Sequence, residues 1–357
     1  MDNSTGEPQT SVAELPVIII GSGCTGLAIA HGLKKSTQVD PNTPTKPFDT
    51  LKFLNGRTGK VISGIPSPDF YRLRRSKLRA LLCKGLDIRW NKRLKDVVVK
   101  QDGSCVTAIF EDGEQMTGRL VVGADGSRST VRELILGPDL AAPLHIPYVS
   151  TFVQAKYTRE QALFLRSFHP LYIAAIHPDN MVAFFGLQDA PAIDKPEDWT
   201  FFFYISWNST LEQQVEEAKT YGNNERLTQV KSFSRGFTEP WKSAFEWVAD
   251  QPVWYVDMAV WDPSLPEHTW DTMNGRVTLA GDAAHPMTFQ RGQGLNHSMA
   301  DAGKLVEALT SEPNQSLAIH NYESEMKDRA GEEGTGEPAY ESRTSAEQIM
   351  TNNEMLN

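Results

Sequence analysis

The first apolar run of the chain, Val17-Ile18-Ile19-Ile20, ends in Gly21. A β-branched run of that length closed by glycine predicts a strand, and Leu27 to Lys35 reads as a helix, so the opening is strand, turn, helix. A second parallel strand should follow. Ser36 to Asp49 instead holds three prolines and several polar residues with almost no apolar run, so that strand is missing from the pattern. Helical spacing returns from Phe70 to Cys83, and strand-like segments follow at Leu86 to Trp90, Asp96 to Val99 and Val106 to Phe110, the last closed by an Asp112-Gly113 turn. Leu120 to Asp125 is a further buried-strand run, and Thr130 to Ile135 reads as helix. Alternation of this kind predicts an α/β layer on a parallel sheet.

The middle of the chain changes character. Leu171 to Ile176 and Met181 to Leu187 are β-rich runs joined by His177-Pro178-Asp179-Asn180, which predicts a hairpin. Trp199 to Trp207 is densely aromatic. Such a strand is either sheet core or one wall of an apolar ligand pocket, since pockets are lined mainly by side chains of this type. After Trp254 to Trp261, the run Val277-Thr278-Leu279-Ala280 returns to the strand-then-glycine style of the opening. The pattern therefore predicts a first domain built from 16–145 and 275–325, with a β-rich domain, 146–274, inserted in it. Residues 1–15 and the acidic, glycine-rich stretch 331–357 are expected to lack order.

Composition narrows the partners. With 357 residues the chain can enclose a small-molecule site, and a net charge of -10 disfavours a nucleic-acid partner, which needs a concentrated basic face. The one dense basic stretch, Arg72 to Arg79, interleaves leucines and reads as an amphipathic helix with a solvated face. Cys24, Cys83 and Cys105 show no metal-ligand or disulfide spacing, which points to no metal and to a reducing, cytoplasmic setting. No apolar run approaches the roughly 20 residues of a membrane span. The sequence carries no signal for an oligomeric state.

Three glycine-bearing strings carry the chemistry. Gly21-Ser22-Gly23-Cys24-Thr25-Gly26 follows a strand and opens a helix, the context in which a G-x-G-x-x-G binds a dinucleotide. Its glycines allow a tight turn, backbone approach to a pyrophosphate and close helix–strand packing, with helix amides facing the phosphate. It does not choose between FAD and NAD. Gly123-Ala124-Asp125-Gly126-Ser127-Arg128-Ser129 again ends a strand before a helix, although Asp-Gly alone is ordinary turn chemistry. Gly281-Asp282-Ala283-Ala284-His285-Pro286 leads to Gly292-Gln293-Gly294-Leu295-Asn296 and Asp301-Ala302. There a carboxylate can accept from polyol hydroxyls, and a glycine turn before a helix exposes amides to an electron-rich ring edge.

Taken together the strings resemble the group A flavin monooxygenases, the para-hydroxybenzoate hydroxylase type, and especially their fungal secondary-metabolism members. The resemblance runs from about Val17 to Asp301. It implies an α/β fold: a Rossmann-like FAD-binding domain, its second strand missing here, with an inserted β-rich substrate domain. It implies FAD reduced by NADPH or NADH, and transfer of one oxygen atom from O2 to a polyketide-like or aromatic small molecule. It assigns Gly21, Gly23 and Gly26 to the pyrophosphate, Asp125 and Gly126 to the vicinity of FAD and the pyridine nucleotide, and Gly281 and Asp282 to the ribityl chain. Arg75 matches the family's cofactor-contacting arginine, and Gly292, Gly294, Leu295 and Asn296 match the loop beside the flavin pyrimidine. No residue is assigned a catalytic proton-transfer role. Where the family pattern has a ribose-binding acid, roughly 20 residues past the glycines, this chain has Pro44, and Asp40 is the nearest carboxylate. Two other readings stay open: a cofactor-free descendant acting as a cyclase, isomerase or binding protein, and an NAD-dependent dehydrogenase using the first string alone.

Overall fold

A computed structural model describes residues 15–34, 50–66, 74–289 and 292–334. Its strands are β1 (Val17–Ile20), β2 (Thr50–Asn55), β3 (Val61–Pro66), β4 (Leu94–Val99), β5 (Val106–Phe110), β6 (Gln115–Gly118), β7 (Leu120–Gly123), β8 (Leu144–Ala155), β9 (Tyr172–His177), β10 (Met181–Asp189), β11 (Thr200–Asn208), β12 (Trp254–Val260) and β13 (Val277–Leu279). Its helices are α1 (Cys24–Leu33), α2 (Arg75–Leu82), α3 (Thr130–Leu136), α4 (Pro138–Ala141), α5 (Arg159–Ser167), α6 (Leu211–Thr220), α7 (Asn223–Ser234), α8 (Trp241–Glu246), α9 (Gly294–Ser311) and α10 (Gln315–Gly334). The chain divides into two compact units, one within 1–39, 75–144 and 259–342, the other within 40–74, 145–258 and 343–357. The boundary expected at 275 thus falls at Ala259, and the hairpin of β2 and β3 belongs with the second unit. Among the described residues no helix is long and apolar enough to cross a membrane.

The first unit is organised by a parallel sheet of order β1-β7-β13. Val17 pairs with Leu120 and Val277 with Val121, so the three strands end together. Its middle strand is wholly apolar and buried, as a strand covered on both faces requires. Ile29 of α1, Val131 of α3, Leu305 of α9 and Ile319, Tyr322 and Met326 of α10 fill the core around it. Among the described residues β1 pairs only with β7, and Ser36 to Asp49, where the second strand was expected, lies outside them. The expected parallel layer is smaller than the pattern suggested: β4, β5 and β6 form a separate antiparallel sheet, turned at Gly113. Leu86 to Trp90 is not a strand at all, because Leu86 and Ile88 pack instead against Cys24, Leu27 and Leu82.

The second unit holds a seven-stranded sheet, order β12-β8-β11-β10-β9-β2-β3, in which β2 and β9 run parallel. The predicted hairpin is β9–β10, with Asn180 left-handed at its turn and Met181 paired with His177. Strand alternation sends Val153, Phe201, Phe203, Phe185 and Ile173 to one face, where Leu227, Val230, Trp241 and Phe245 cover them. Phe203 meets Phe245 edge-on at 4.8 Å. The opposite face carries Phe152, Phe184, Phe202, Tyr204 and Tyr172. Phe184 and Tyr204 stack at 5.5 Å, and Phe152 lies 5.5 Å from Phe202.

Helix α10 closes the first unit and runs through Gly331, the start of the expected disordered tail, to Gly334. Tyr322 donates to the Leu279 carbonyl at 2.9 Å. The buried Glu323 carboxylate accepts from Trp270 Nε1 at 3.0 Å and Thr278 Oγ1 at 2.7 Å. Burial pushes its pKa up to about 7, against the pull of those two donors and of Lys327. Folding therefore takes up a proton between the unfolded value of about 4.5 and the folded value of about 7, so stability falls as pH rises through that window. Glu323→Gln should flatten this fall by up to about 3 kcal/mol, read as the difference in urea-unfolding free energy between about pH 5 and about pH 8.

Candidate cofactor site

The first turn is built so that two glycines are locked and one is open. Gly21 has φ +115°, and a Cβ there would lie 2.2 Å from the Ala124 carbonyl oxygen; one on Gly26 would lie 2.2 Å from the Gly21 carbonyl oxygen. Neither approach leaves room for any side chain. Gly23, the N-cap of α1, has nothing within 4 Å of where its Cβ would point. No side chain caps α1 and no acidic residue lies in its first turn. Its leading amides have no intrahelical acceptor, and the helix dipole favours an anion beside them.

The second turn is tied to the third by an arginine. Asp125 accepts from Ser129 Oγ at 2.5 Å, Thr130 N at 2.8 Å and Val131 N at 3.3 Å, so its carboxylate caps α3. Gly126, at φ +90°, again faces open space. Arg132 is 1% exposed and donates to the carbonyls of Ser127 at 2.5 Å, Ala141 at 3.0 Å and Ala283 at 2.8 Å. Its guanidinium carbon lies 4.9 Å from the Trp261 ring. Burial lowers its pKa to about 10, partly offset by Asp125, and it remains a cation at neutral pH.

Gly281, at φ +62°, is pressed against the first turn: a Cβ would lie 2.5 Å from Thr25 Oγ1 and 3.0 Å from Ser298 Oγ. Its amide donates to the fully buried Asp301 at 2.6 Å, as does His285 Nε2 at 2.6 Å. Arg329 of α10 reaches the other oxygen at 2.6 Å. Burial alone would raise the Asp301 pKa, but these donors outweigh it and hold the carboxyl below its ordinary value. Asp282, half-buried, makes no side-chain hydrogen bond among the described residues, and a Cβ on Gly294 would lie 4.0 Å from its Oδ1. Its carboxylate therefore stands beside the start of α9. Gly292, at φ +68°, opens to unfilled space.

The remaining expected residues divide. Leu295 packs into the apolar cluster of Cys24, Leu27 and Leu82, and the exposed Asn296 donates to Gln293 Oε1 at 2.8 Å. Arg75 begins α2 and is exposed. One turn further on, Arg79 holds the first glycine turn, donating to Ser22 O at 2.8 Å and Ser22 Oγ at 3.1 Å. Arg79, Arg132 and Arg329 escaped the sequence reading because each acts through tertiary contacts that no spacing announces. As a cradle the region suits a dinucleotide: Gly23, Gly126 and Gly292 leave room where a Cβ would intrude, the uncapped α1 amides favour an anion, and Asp282 offers an acceptor to hydroxyls.

Known proteins share the family and the fold. Residues 65–332 match the FAD binding domain family. The FAD-dependent monooxygenase phnB of Penicillium herquei is 34% identical, with 92% of this chain and 89% of that protein aligned. The FAD-dependent monooxygenase cctM of Talaromyces islandicus is 33% identical, with 91% of each covered. Klebsiella pneumoniae HpxO complexed with FAD and uric acid shares the fold at a TM-score of 0.73 and 18% identity, over 98% of this chain and 92% of that one.

The Arg132 bridge makes a direct prediction. Arg132→Met strands three carbonyls and should cost about 2–4 kcal/mol in chemical unfolding, with Arg132→Lys recovering only part, since one ammonium cannot span the same acceptors. A loss under about 0.5 kcal/mol for Arg132→Met would remove it as the link between the turns.

Proposed function

We propose, because this chain belongs to the FAD binding domain family of FAD-dependent monooxygenases, that it oxygenates a planar aromatic or polyketide-like small molecule in fungal-type secondary metabolism. FAD, reduced by NADPH or NADH, would activate O2, one of whose atoms goes to the substrate and the other to water. The protein supplies binding, orientation and exclusion of water. Gly21, Gly23 and Gly26, with the α1 amides, take the pyrophosphate. Asp282 takes the ribityl hydroxyls, Gly281 serves by its close packing on Thr25, and the α9 N-terminus, with Gly292 and Gly294, favours negative charge on the ring edge. Asp125 serves by fixing the turn that carries Gly126, and Arg75 adds positive charge from α2.

The substrate assignment rests on the second unit, where Phe152, Phe184, Phe202, Tyr204 and Tyr172 line one sheet face with stacked and edge-on contacts. Such a surface holds flat apolar rings by area and by stacking geometry. The neighbour complexed with FAD and uric acid supports a small organic substrate in the same way.

The single observation that carries the reading is the Asp282 carboxylate, which accepts no hydrogen bond among the described residues and stands beside the start of α9. Purified full-length protein should show the two flavin absorption bands and consume NADPH or NADH faster when a cognate phenolic compound is present. Asp282→Ala should weaken FAD by about 10- to 100-fold, the worth of one or two charge-assisted hydrogen bonds, measured by flavin fluorescence titration. Colourless wild-type protein that takes up no added FAD, or an Asp282→Ala variant with wild-type FAD affinity, would overturn the assignment.

A further inference from the structure

Arg79 has no place in the family assignments above, yet it makes the most specific side-chain contact with the first glycine turn. Its Nε and Nη2 donate to the main-chain and side-chain oxygens of Ser22, the residue between Gly21 and Gly23. Its guanidinium carbon lies 5.3 Å from the centre of the Trp90 ring, which is 52% exposed. The helix that carries it is fixed at its far end, where His31 Nε2 meets the Leu82 carbonyl at 2.8 Å and Lys34 reaches the Gly85 carbonyl. Leu78 and Leu82 pack with Cys24 and Leu27 between these two attachments.

We propose that Arg79 is a positioning residue for FAD: by gripping Ser22 it turns the Gly21–Gly26 loop so that the loop's amides face the cofactor pyrophosphate. In a trans peptide the C=O and the following N–H point in opposite directions. Holding the Ser22 carbonyl against Arg79 therefore aims the Gly23 amide away from Arg79, on the side where the loop needs donors. The two-pronged contact fixes the peptide plane, which a single donor would leave free to rotate. Trp90 steadies the guanidinium through its ring face. The fixed charge also lowers the cost of placing a diphosphate near the loop, an effect that weakens with salt.

This inference rests on the assignment of the glycine loop to the pyrophosphate, and the experiment separates the two. Full-length Arg79→Met, Arg79→Lys and Gly23→Ala proteins are titrated with FAD by flavin fluorescence. Hydrogen exchange of the loop amides is followed in FAD-free protein. Arg79→Met should raise the FAD dissociation constant about 10- to 100-fold and speed exchange across residues 21–26, with exchange in β7 and β13 unaltered. Arg79→Lys should stay nearer to Arg79→Met than to wild type, because an ammonium keeps the charge without the fork. Full recovery in Arg79→Lys, or an Arg79→Met constant within about twofold of wild type while Gly23→Ala loses FAD, overturns the role of Arg79 alone. Wild-type affinity in Gly23→Ala overturns the pyrophosphate assignment beneath it. If Arg79→Met does not fold, Trp90→Ala carries the test. It should weaken FAD about two- to fivefold and loosen the loop; unchanged exchange there also sinks the proposal.

Discussion

Everything at the cofactor site depends on three glycine turns packed against one another with no room for a Cβ. Gly21 abuts the Ala124 carbonyl, Gly26 abuts Gly21, and Gly281 abuts Thr25. Two of these contacts are backbone on backbone, so a larger residue could not be absorbed by a side-chain rotation. The parallel sheet makes such closeness possible. Ile20 and Leu279 both register with Gly123, so each strand ends at the same level and delivers its turn to the same edge. Ligands of open parallel sheets gather at that carboxyl edge, and the packing here leaves Gly23, Gly126 and Gly292 as the positions with open space.

Two buried charges keep the turns in place. Arg132 satisfies carbonyls from three separate segments, and Asp301 takes donors from Gly281, His285 and Arg329. A buried charge is tolerated only when its hydrogen-bonding capacity is used, and removing one partner leaves the rest uncompensated. Arg132 couples the second turn to the third, while Asp301 couples the third to α10. Helix α10 is thus tied to the site although none of its residues was expected to touch the cofactor.

The legible parts of the sequence were those whose signal is local. The strand-turn-helix opening, β7, the β9–β10 hairpin and the three glycine strings all follow from neighbours a few residues apart. What escaped depends on partners distant in sequence. Val106 to Phe110 has the same apolar content in a parallel or an antiparallel sheet, so its pairing with β4 and β6 was not readable. Leu86, Ile88 and Trp90 alternate as a strand would, but the first two fill an apolar cluster and the third supports Arg79. The β2–β3 hairpin does carry a local turn signal, Asn55-Gly56, and the Asn55 side chain accepts from the amides of Arg57 and Thr58 at 3.0 Å, but the parallel pairing of β2 with β9 depends on residues more than 100 positions away. Asp125 was legible as important, yet its carboxylate is spent on capping α3.

The disposition of carboxylates explains why this edge of the sheet suits a diphosphate joined to a polyol. A pyrophosphate is repelled by any free anion near the α1 amides, and no acidic residue lies in the first turn of that helix. The acceptors of Asp125 are taken up by Ser129 and the first α3 amides, and Asp301 is paired with Arg329 together with two further donors. Of these three carboxylates, Asp282 is the one that accepts no hydrogen bond among the described residues, and it stands beside the start of α9, where a row of hydroxyls would find it. Cations balance the arrangement, with Arg79 fixed on the glycine loop and Arg132 behind the second and third turns. Selectivity at such a site comes from where negative charge has been cancelled as much as from where donors point, because an anionic ligand pays for every uncompensated carboxylate within a few ångströms.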